Sequence, residues 1–254
     1  MTFLDQWIGR VWQGDCMEFM RQLPDGCVDL ALTDPPYGHN NNNGDLIANR
    51  EAALGRGRPG EPRPIANDGP EANDVFRAAL VQIARLLKPG ACLCCCCCGG
   101  GPDPQFGRWS LWMDETPGLK FKQAVVWDKL GLGMGWHYRR NYEFMLVAEK
   151  PGAACKWYGG HDTPNVFRFP RVIPRADDHP TAKPVELIGH FMRLHSEPGD
   201  LVLDPFCGGG TVPVVAERRG RLWLASEIDP VWVAYSEQRI ARERAQIKLP
   251  MEVA

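Results

Sequence analysis

Leu201-Val202-Leu203-Asp204-Pro205-Phe206-Cys207-Gly208-Gly209-Gly210-Thr211 is the stretch that decides the fold. Its three apolar residues make a short buried strand, and a glycine loop follows at once. Val212 to Arg218 opens a helix, Leu222 to Ala225 returns as a strand, and Glu227 stands just past its end. Strand, glycine loop, helix, strand and acid is the layout of a nucleotide-binding half-fold. Glycines admit a ligand close to backbone, the helix N-terminus offers oriented N–H groups, and the acid takes two ribose hydroxyls. No Gly-Lys-Ser/Thr follows the glycines, so this is not a P-loop. Nor does it read G-x-G-x-x-G, because Gly210 leads into Thr211-Val212-Pro213. The expected ligand is an adenosine carrier without a pyrophosphate, and S-adenosylmethionine fits.

Far upstream, the apolar run from Cys27 to Thr33 delivers Asp34-Pro35-Pro36-Tyr37. Two prolines cannot extend a ladder, so the run ends in a stiff turn. A carboxylate, a proline carbonyl and an aromatic face at the carboxyl end of a strand suit a flat heterocycle with an exocyclic amine.

Between these stretches the chain alternates strands and helices. Val11 to Gln13 reads as a strand ending at Gly14-Asp15, and Met17 to Leu23 as a helical turn or two. Val75 to Leu87 is an amphipathic helix closed by Lys88-Pro89-Gly90, and a cysteine-rich strand follows. A helical stretch is expected around Phe106 to Met113, and strands over Phe121 to Trp127 and Tyr142 to Ala148. Two strands in near succession suggest an antiparallel pair at one edge of an otherwise parallel sheet. The fold class is therefore α/β and Rossmann-like, with residues 1–254 read as one domain. Periodicity vanishes over 39–70, where a mobile loop is expected beside Tyr37. It is also absent over 150–178, where basic residues lie among Trp157, Tyr158, Phe167 and Phe169 in a pattern that suits phosphates and bases. Lys156, Arg168, Arg171 and Arg175 in that segment, with Arg139 and Arg140 ahead of the last edge strand, are the candidate phosphate contacts.

The 254 residues are 44% hydrophobic and 24% charged, ordinary for a globular chain. No apolar run reaches membrane-spanning length and the first ten residues do not resemble a signal peptide, so a cytoplasmic protein is expected. The net charge of -2 and pI near 6.3 give no general nucleic-acid signature, so any nucleic-acid contact must come from local patches. Six of the ten cysteines fall between Cys92 and Cys98. Neighbours on a strand face opposite ways and cannot pair, so these thiols read as small hydrophobes of a central strand. No metal site is expected.

Taken in order, Gly14-Asp15, Asp34-Pro35-Pro36-Tyr37, His179-Pro180-Thr181-Ala182-Lys183-Pro184, Asp204 to Thr211 and Ser226 to Pro230 resemble the amino-group DNA methyltransferases, in their permuted β-group. The resemblance covers most of the chain. It implies a circularly permuted, seven-stranded sheet and transfer of a methyl from S-adenosylmethionine to N6 of adenine in double-stranded DNA, within a restriction–modification context. It also implies roles for residues. Phe206, Cys207, Gly208, Gly210 and Thr211 would wrap the methionine portion, with Asp204 close by. Glu227, with Asp229 beside it, would bind the ribose, Asp15 would sit near adenine, and Lys183 would meet the methionine carboxylate. Asp34, Pro35, Pro36 and Tyr37 would hold the target base. An Asp at position 34 leans towards adenine in this family and a Ser towards cytosine, although N4 of cytosine presents the same geometry. Methylation of RNA or of a protein glutamine, and an inactive DNA-binding homologue, are the other readings. Pairing into a homodimer is left open. Residues 150–178 are short for a recognition region, so either the site read is small or the 39–70 loop shares that work.

Overall fold

A computed structural model describes residues 3–39, 65–97, 105–133, 137–173 and 178–247. Among these residues eight strands form one sheet: β1 (Val11–Gln13), β2 (Val28–Thr33), β3 (Leu87–Cys97), β4 (Lys120–Asp128), β5 (Tyr142–Glu149), β6 (Val166–Arg168), β7 (Leu201–Asp204) and β8 (Leu222–Glu227). Their order is β1-β8-β7-β2-β3-β5-β4-β6. Only β5 runs against its neighbours, β3 on one side and β4 on the other. Among the described residues the six α-helices are α1 (Cys16–Arg21), α2 (Ala72–Leu86), α3 (Phe106–Glu115), α4 (Val185–His195), α5 (Thr211–Arg218) and α6 (Pro230–Ile247).

The chain leaves β7 towards β8 and leaves β2 towards β3, in opposite directions across the sheet. The sheet's switch point therefore lies between β7 and β2, where a crevice opens beyond the strands' carboxyl ends. Both stretches singled out above, Asp34 onward and Asp204 onward, emerge there.

β2 and β3 are buried on both faces, and their alternation divides the core in two. Ala31, Leu93, Cys95 and Cys97 pack with Phe76, Leu80 and Ile83 of α2 and Trp109 of α3. Leu30, Leu32, Cys92, Cys94 and Cys96 pack with Ile188 and Phe191 of α4 and Val212 and Val215 of α5. The described cysteines of this strand are thus core residues on alternating faces. Burial pushes the thiols of Cys95 and Cys96 well above the ordinary range and keeps them neutral.

One boundary and the strand count differ from the sequence reading. β3 begins at Leu87, so Lys88-Pro89-Gly90 lies inside the strand rather than beyond a helix end. The ladder with β2 is irregular between Val28 and Leu30, where a proline without an N–H is tolerated. Gly90, at φ +82°, is crossed so closely that a Cβ there would collide with the Ala154 carbonyl. The sheet also has eight strands rather than seven. The addition is β6, three residues pairing with β4 inside a segment without periodicity. Three residues are too few to show a period. The loop expected over 39–70 falls mainly on 40–64, outside the described residues.

Candidate active site

Residues from both stretches line one pocket at the switch point. Asp34, Pro35, Pro36 and Tyr37 face it from β2, Asp204 to Gly209 and Thr211 from β7, Glu227 from β8, and Asp15 from the start of α1. Lys183, from the turn before α4, forms part of the wall. Ile65 to Asp68 return to the same pocket, and the Asp68 carboxylate accepts the Gly38 N–H at 2.8 Å.

Asp34 is held by two donors. The Tyr37 hydroxyl donates to Oδ1 at 2.7 Å and Lys183 Nζ to Oδ2 at 2.5 Å. Lys183 has only 8% of its side chain exposed, and Glu143 Oε2 lies 3.8 Å from the same ammonium. Burial works against that charge, but Asp34 and Glu143 outweigh it and push the Lys183 pKa up. Burial, then Asp34, pushes the Tyr37 phenol up, so it stays a neutral donor. The Tyr37 ring is fixed edge-on to Trp109, and Gln105 Nε2 donates to the Tyr37 carbonyl at 2.8 Å.

The glycine loop is fixed from within. Gly208 donates its N–H to Glu227 Oε2 at 2.8 Å, and Asp229 donates its N–H to Oε1 at 2.9 Å. Burial raises the Glu227 pKa against those two bonds. Asp204 is almost fully buried, accepts the Thr33 hydroxyl at 2.7 Å and the Phe206 N–H at 3.2 Å, and is pushed up to about 7, mainly by burial.

Several sequence expectations need restating. Asp15 lines the pocket but its carboxylate also caps α1, accepting the N–H groups of Met17 and Glu18. Lys183, expected at a cofactor carboxylate, has its ammonium on Asp34, because only the carboxylates around it can offset its burial. Gly210 serves helix packing rather than the pocket: a Cβ there would meet Ser236 Cβ at 2.7 Å, and Gly209 lines the pocket instead. Asp229 turns its carboxylate to the Val231 N–H at the start of α6.

Of the basic residues, Arg168 ends β6, which runs parallel to β4 and therefore finishes on the same sheet edge as the pocket. It lies 3.4 Å from Asp128 and is 74% exposed. Arg171 is exposed just beyond, and Arg139 and Arg140 precede β5 on that edge. Arg175 lies outside the described residues. Lys156, expected at phosphate, is not on that edge. Its ammonium pairs with Asp29 at 2.8 Å and Asp200 at 3.2 Å, at the amino ends of β2 and β7 and so at the opposite edge. A lysine with two carboxylates beside it is committed to the fold, not to phosphate.

Glu143 was not legible in the sequence. It sits among apolar residues on β5, and only the pairing of β5 with β3 carries it to Lys183.

A sheet of this order, with two loops meeting over its switch point, defines a Rossmann-like methyltransferase fold. Residues 28–238 match the DNA methylase family of N6 and N4 methylases, and the chain belongs to that family. It is 24% identical over 215 residues to the type II methyltransferase M.HhaII of Haemophilus parahaemolyticus, covering 84% of this chain and 87% of that one. Its fold is similar to that of TTHA0409 from Thermus thermophilus, solved with S-adenosyl-L-methionine. That likeness has a TM-score of 0.64 at 24% identity, covering 92% of this chain and 95% of the other. It is also similar to the PvuII DNA methyltransferase, described as cytosine-N4-specific, with a TM-score of 0.67 at 18% identity over 95% of both chains.

Proposed function

We propose that this protein transfers a methyl group from S-adenosylmethionine to N6 of adenine in double-stranded DNA. The observation that carries the reading is that Asp34 and Glu227, 193 positions apart in sequence, line one pocket. The acid turn preceding the glycine loop along the chain supports the permuted β-group. The type II relative supports a place in restriction–modification.

The pocket suits the cofactor. Gly208 is at φ +49°, and a Cβ there would come within 3.1 Å of His179 Nε2, so the loop keeps a bare face for a ligand. Phe206, Ile228 and Trp232 add apolar wall, and Glu227 offers an acceptor at the end of β8. Phe206, Cys207, Gly208 and Thr211 would hold the methionine portion, Glu227 the ribose, and Asp15 the vicinity of the adenine. When bound, the cofactor supplies an electrophilic methyl on a sulfonium.

The chain's own task is to prepare the amine. An exocyclic amine is a poor nucleophile because its lone pair is delocalised into the ring. Accepting its two hydrogens at the Asp34 carboxylate and the Pro35 carbonyl localises that pair and aims it, and positioning with electrostatics accounts for the rate. The target atom lies inside the duplex, so the base must leave the stack at a cost of about a few kcal/mol. Tyr37 presents a ring for it to rest on. Arg168, Arg171, Arg139 and Arg140 would grip the backbone around it.

Digestion of DNA incubated with the purified protein and S-adenosylmethionine, followed by nucleoside mass spectrometry, tests the reading. N6-methyladenine is expected. N4-methylcytosine would reassign the base, and unmodified DNA of every sequence tried would remove the activity.

A further inference from the structure

The Asp34 carboxylate already has a donor on each oxygen, Tyr37 on one and Lys183 on the other. An acceptor for an incoming amine must be vacated or shared, and the Lys183 contact is the one with somewhere to go. Glu143 is anchored by its other oxygen: Lys129 Nζ donates to Oε1 at 3.0 Å. Its Oε2 is buried, and no group among the described residues donates a hydrogen bond to it. A buried carboxylate oxygen left in this way is costly. The Lys183 ammonium lies 3.8 Å from it. A displacement of about 1 Å would bring it to the length of a charge-assisted hydrogen bond. Four groups, Lys129, Glu143, Lys183 and Asp34, thus alternate in sign from the end of β4 to the end of β2.

We infer that Lys183 is a placeholder on Asp34, that Glu143 is the second seat to which its ammonium moves when Asp34 accepts the target amine, and that Glu143 is therefore a positioning residue for methyl transfer. The inference rests on the reading of Asp34 as the amine's acceptor. In the resting protein the Lys183 ammonium opposes the burial that raises the Asp34 pKa and holds the carboxylate in place. On substrate entry the amine N–H donates to Asp34, while Lys183 turns an N–H to Glu143 Oε2 and stays charge-compensated. No proton changes hands. The groups facing Lys183 are Asp34 and Tyr37 after β2, Glu143 on β5 and the Cys96 thiol on β3, which burial keeps neutral.

The test uses the full chain with duplex DNA containing its target, single-turnover methylation, and cofactor titration by calorimetry. Glu143→Gln keeps the shape and removes the charged seat. Its rate at saturating DNA should fall on the order of tenfold to a hundredfold, with cofactor affinity and the KM for DNA changed less than about threefold, and raising the pH should not restore it. Glu143→Asp should recover part of the loss. Lys183→Met leaves burial of Asp34 opposed by the Tyr37 hydrogen bond alone and pushes that carboxyl further up, so its rate should recover as the pH is raised. A wild-type rate in Glu143→Gln, with Asp34→Ala inactive in the same assay, would overturn the second seat while leaving the acceptor reading intact. Full activity in Asp34→Ala would instead overturn the acceptor reading and the inference with it. A Glu143→Gln loss confined to KM, or accompanied by an equal loss of cofactor binding, would reduce Glu143 to a structural part and also overturn the inference.

Discussion

The Thr33 hydroxyl donates to the Asp204 carboxylate at 2.7 Å, joining residues 171 positions apart at the carboxyl ends of adjacent strands. This bond ties β2 to β7 at the switch point, one residue before the acid turn and at the first residue of the glycine loop. It also explains how a buried Asp204 is tolerated. Burial lifts its pKa from 3.8 to about 7, against the Thr33 and Phe206 hydrogen bonds.

A stability window follows. Between about pH 4 and pH 7 the unfolded chain has released the Asp204 proton and the folded one has kept it, so stability from this group falls as pH rises through that range and levels off above 7. The shift corresponds to about 4 kcal/mol as an upper bound. Asp204→Asn should flatten the pH dependence of Tm over this range. Thr33→Val removes the bond that opposes burial and should carry the falling limb to higher pH. Thermal melts in matched buffers decide it, and a wild-type slope in Asp204→Asn would exclude Asp204 as the source.

Asp34→Ala should abolish methyl transfer, a loss of at least about a hundredfold, while cofactor affinity falls much less. The pocket wall around the glycine loop does not depend on Asp34; Gly208 and Glu227 hold each other. The two effects can be read separately by tritium transfer to DNA and by calorimetric titration. An equal loss in both would assign Asp34 to the cofactor.

Gly208→Ala attacks the other half of the pocket. A side chain at φ +49° costs about 1 kcal/mol in backbone strain alone, and the new methyl would stand 3.1 Å from His179 Nε2 on the face offered to the ligand. Cofactor Kd should rise by about tenfold or more, with duplex binding measured without cofactor unchanged. Glu227→Ala should behave alike, with an added loosening of the loop whose Gly208 and Asp229 N–H groups it accepts. Unaltered cofactor affinity in both variants would remove this loop from the binding site.

Local chemistry made much of this legible. Two prolines after an apolar run can only end a strand, and three glycines between a strand and a helix can only make a close-approach loop. Both therefore mark strand ends whatever the rest of the chain does. The alternating thiols of β3 were readable as core for the same reason, since period and burial are local properties. Partnerships across the sheet were not. Glu143 meets Lys183 only because β5 runs antiparallel beside β3, and Lys156 meets Asp29 and Asp200 only because the loop after β5 crosses the far end of the sheet. A lysine beside tryptophan and tyrosine in an aperiodic segment carries the same composition whether it faces phosphate or carboxylate. Register and loop path decide, and neither is written in the segment itself.

Two kinds of basic residue in this one segment can be separated by experiment. Asp29 accepts from Lys88, from Lys156 and from the Leu201 N–H, and despite burial those bonds hold its pKa below the usual value. Its stabilising contribution is present above the unfolded pKa and is lost as the pH falls through the folded one. Lys156→Met should therefore lower stability by about 1–3 kcal/mol without changing DNA affinity. Arg168→Ala and Arg171→Ala should do the reverse. Arg168 is three-quarters exposed with one partner at 3.4 Å, so its loss leaves the fold intact. If each arginine neutralises one phosphate, each substitution should reduce the slope of log K against log salt by about 1. Fluorescence anisotropy across a salt series, with chemical denaturation of the same variants, reads both quantities. A DNA-affinity loss in Lys156→Met at unchanged stability would return that residue to the interface, and salt slopes unaltered in both arginine variants would move the duplex off this edge of the sheet.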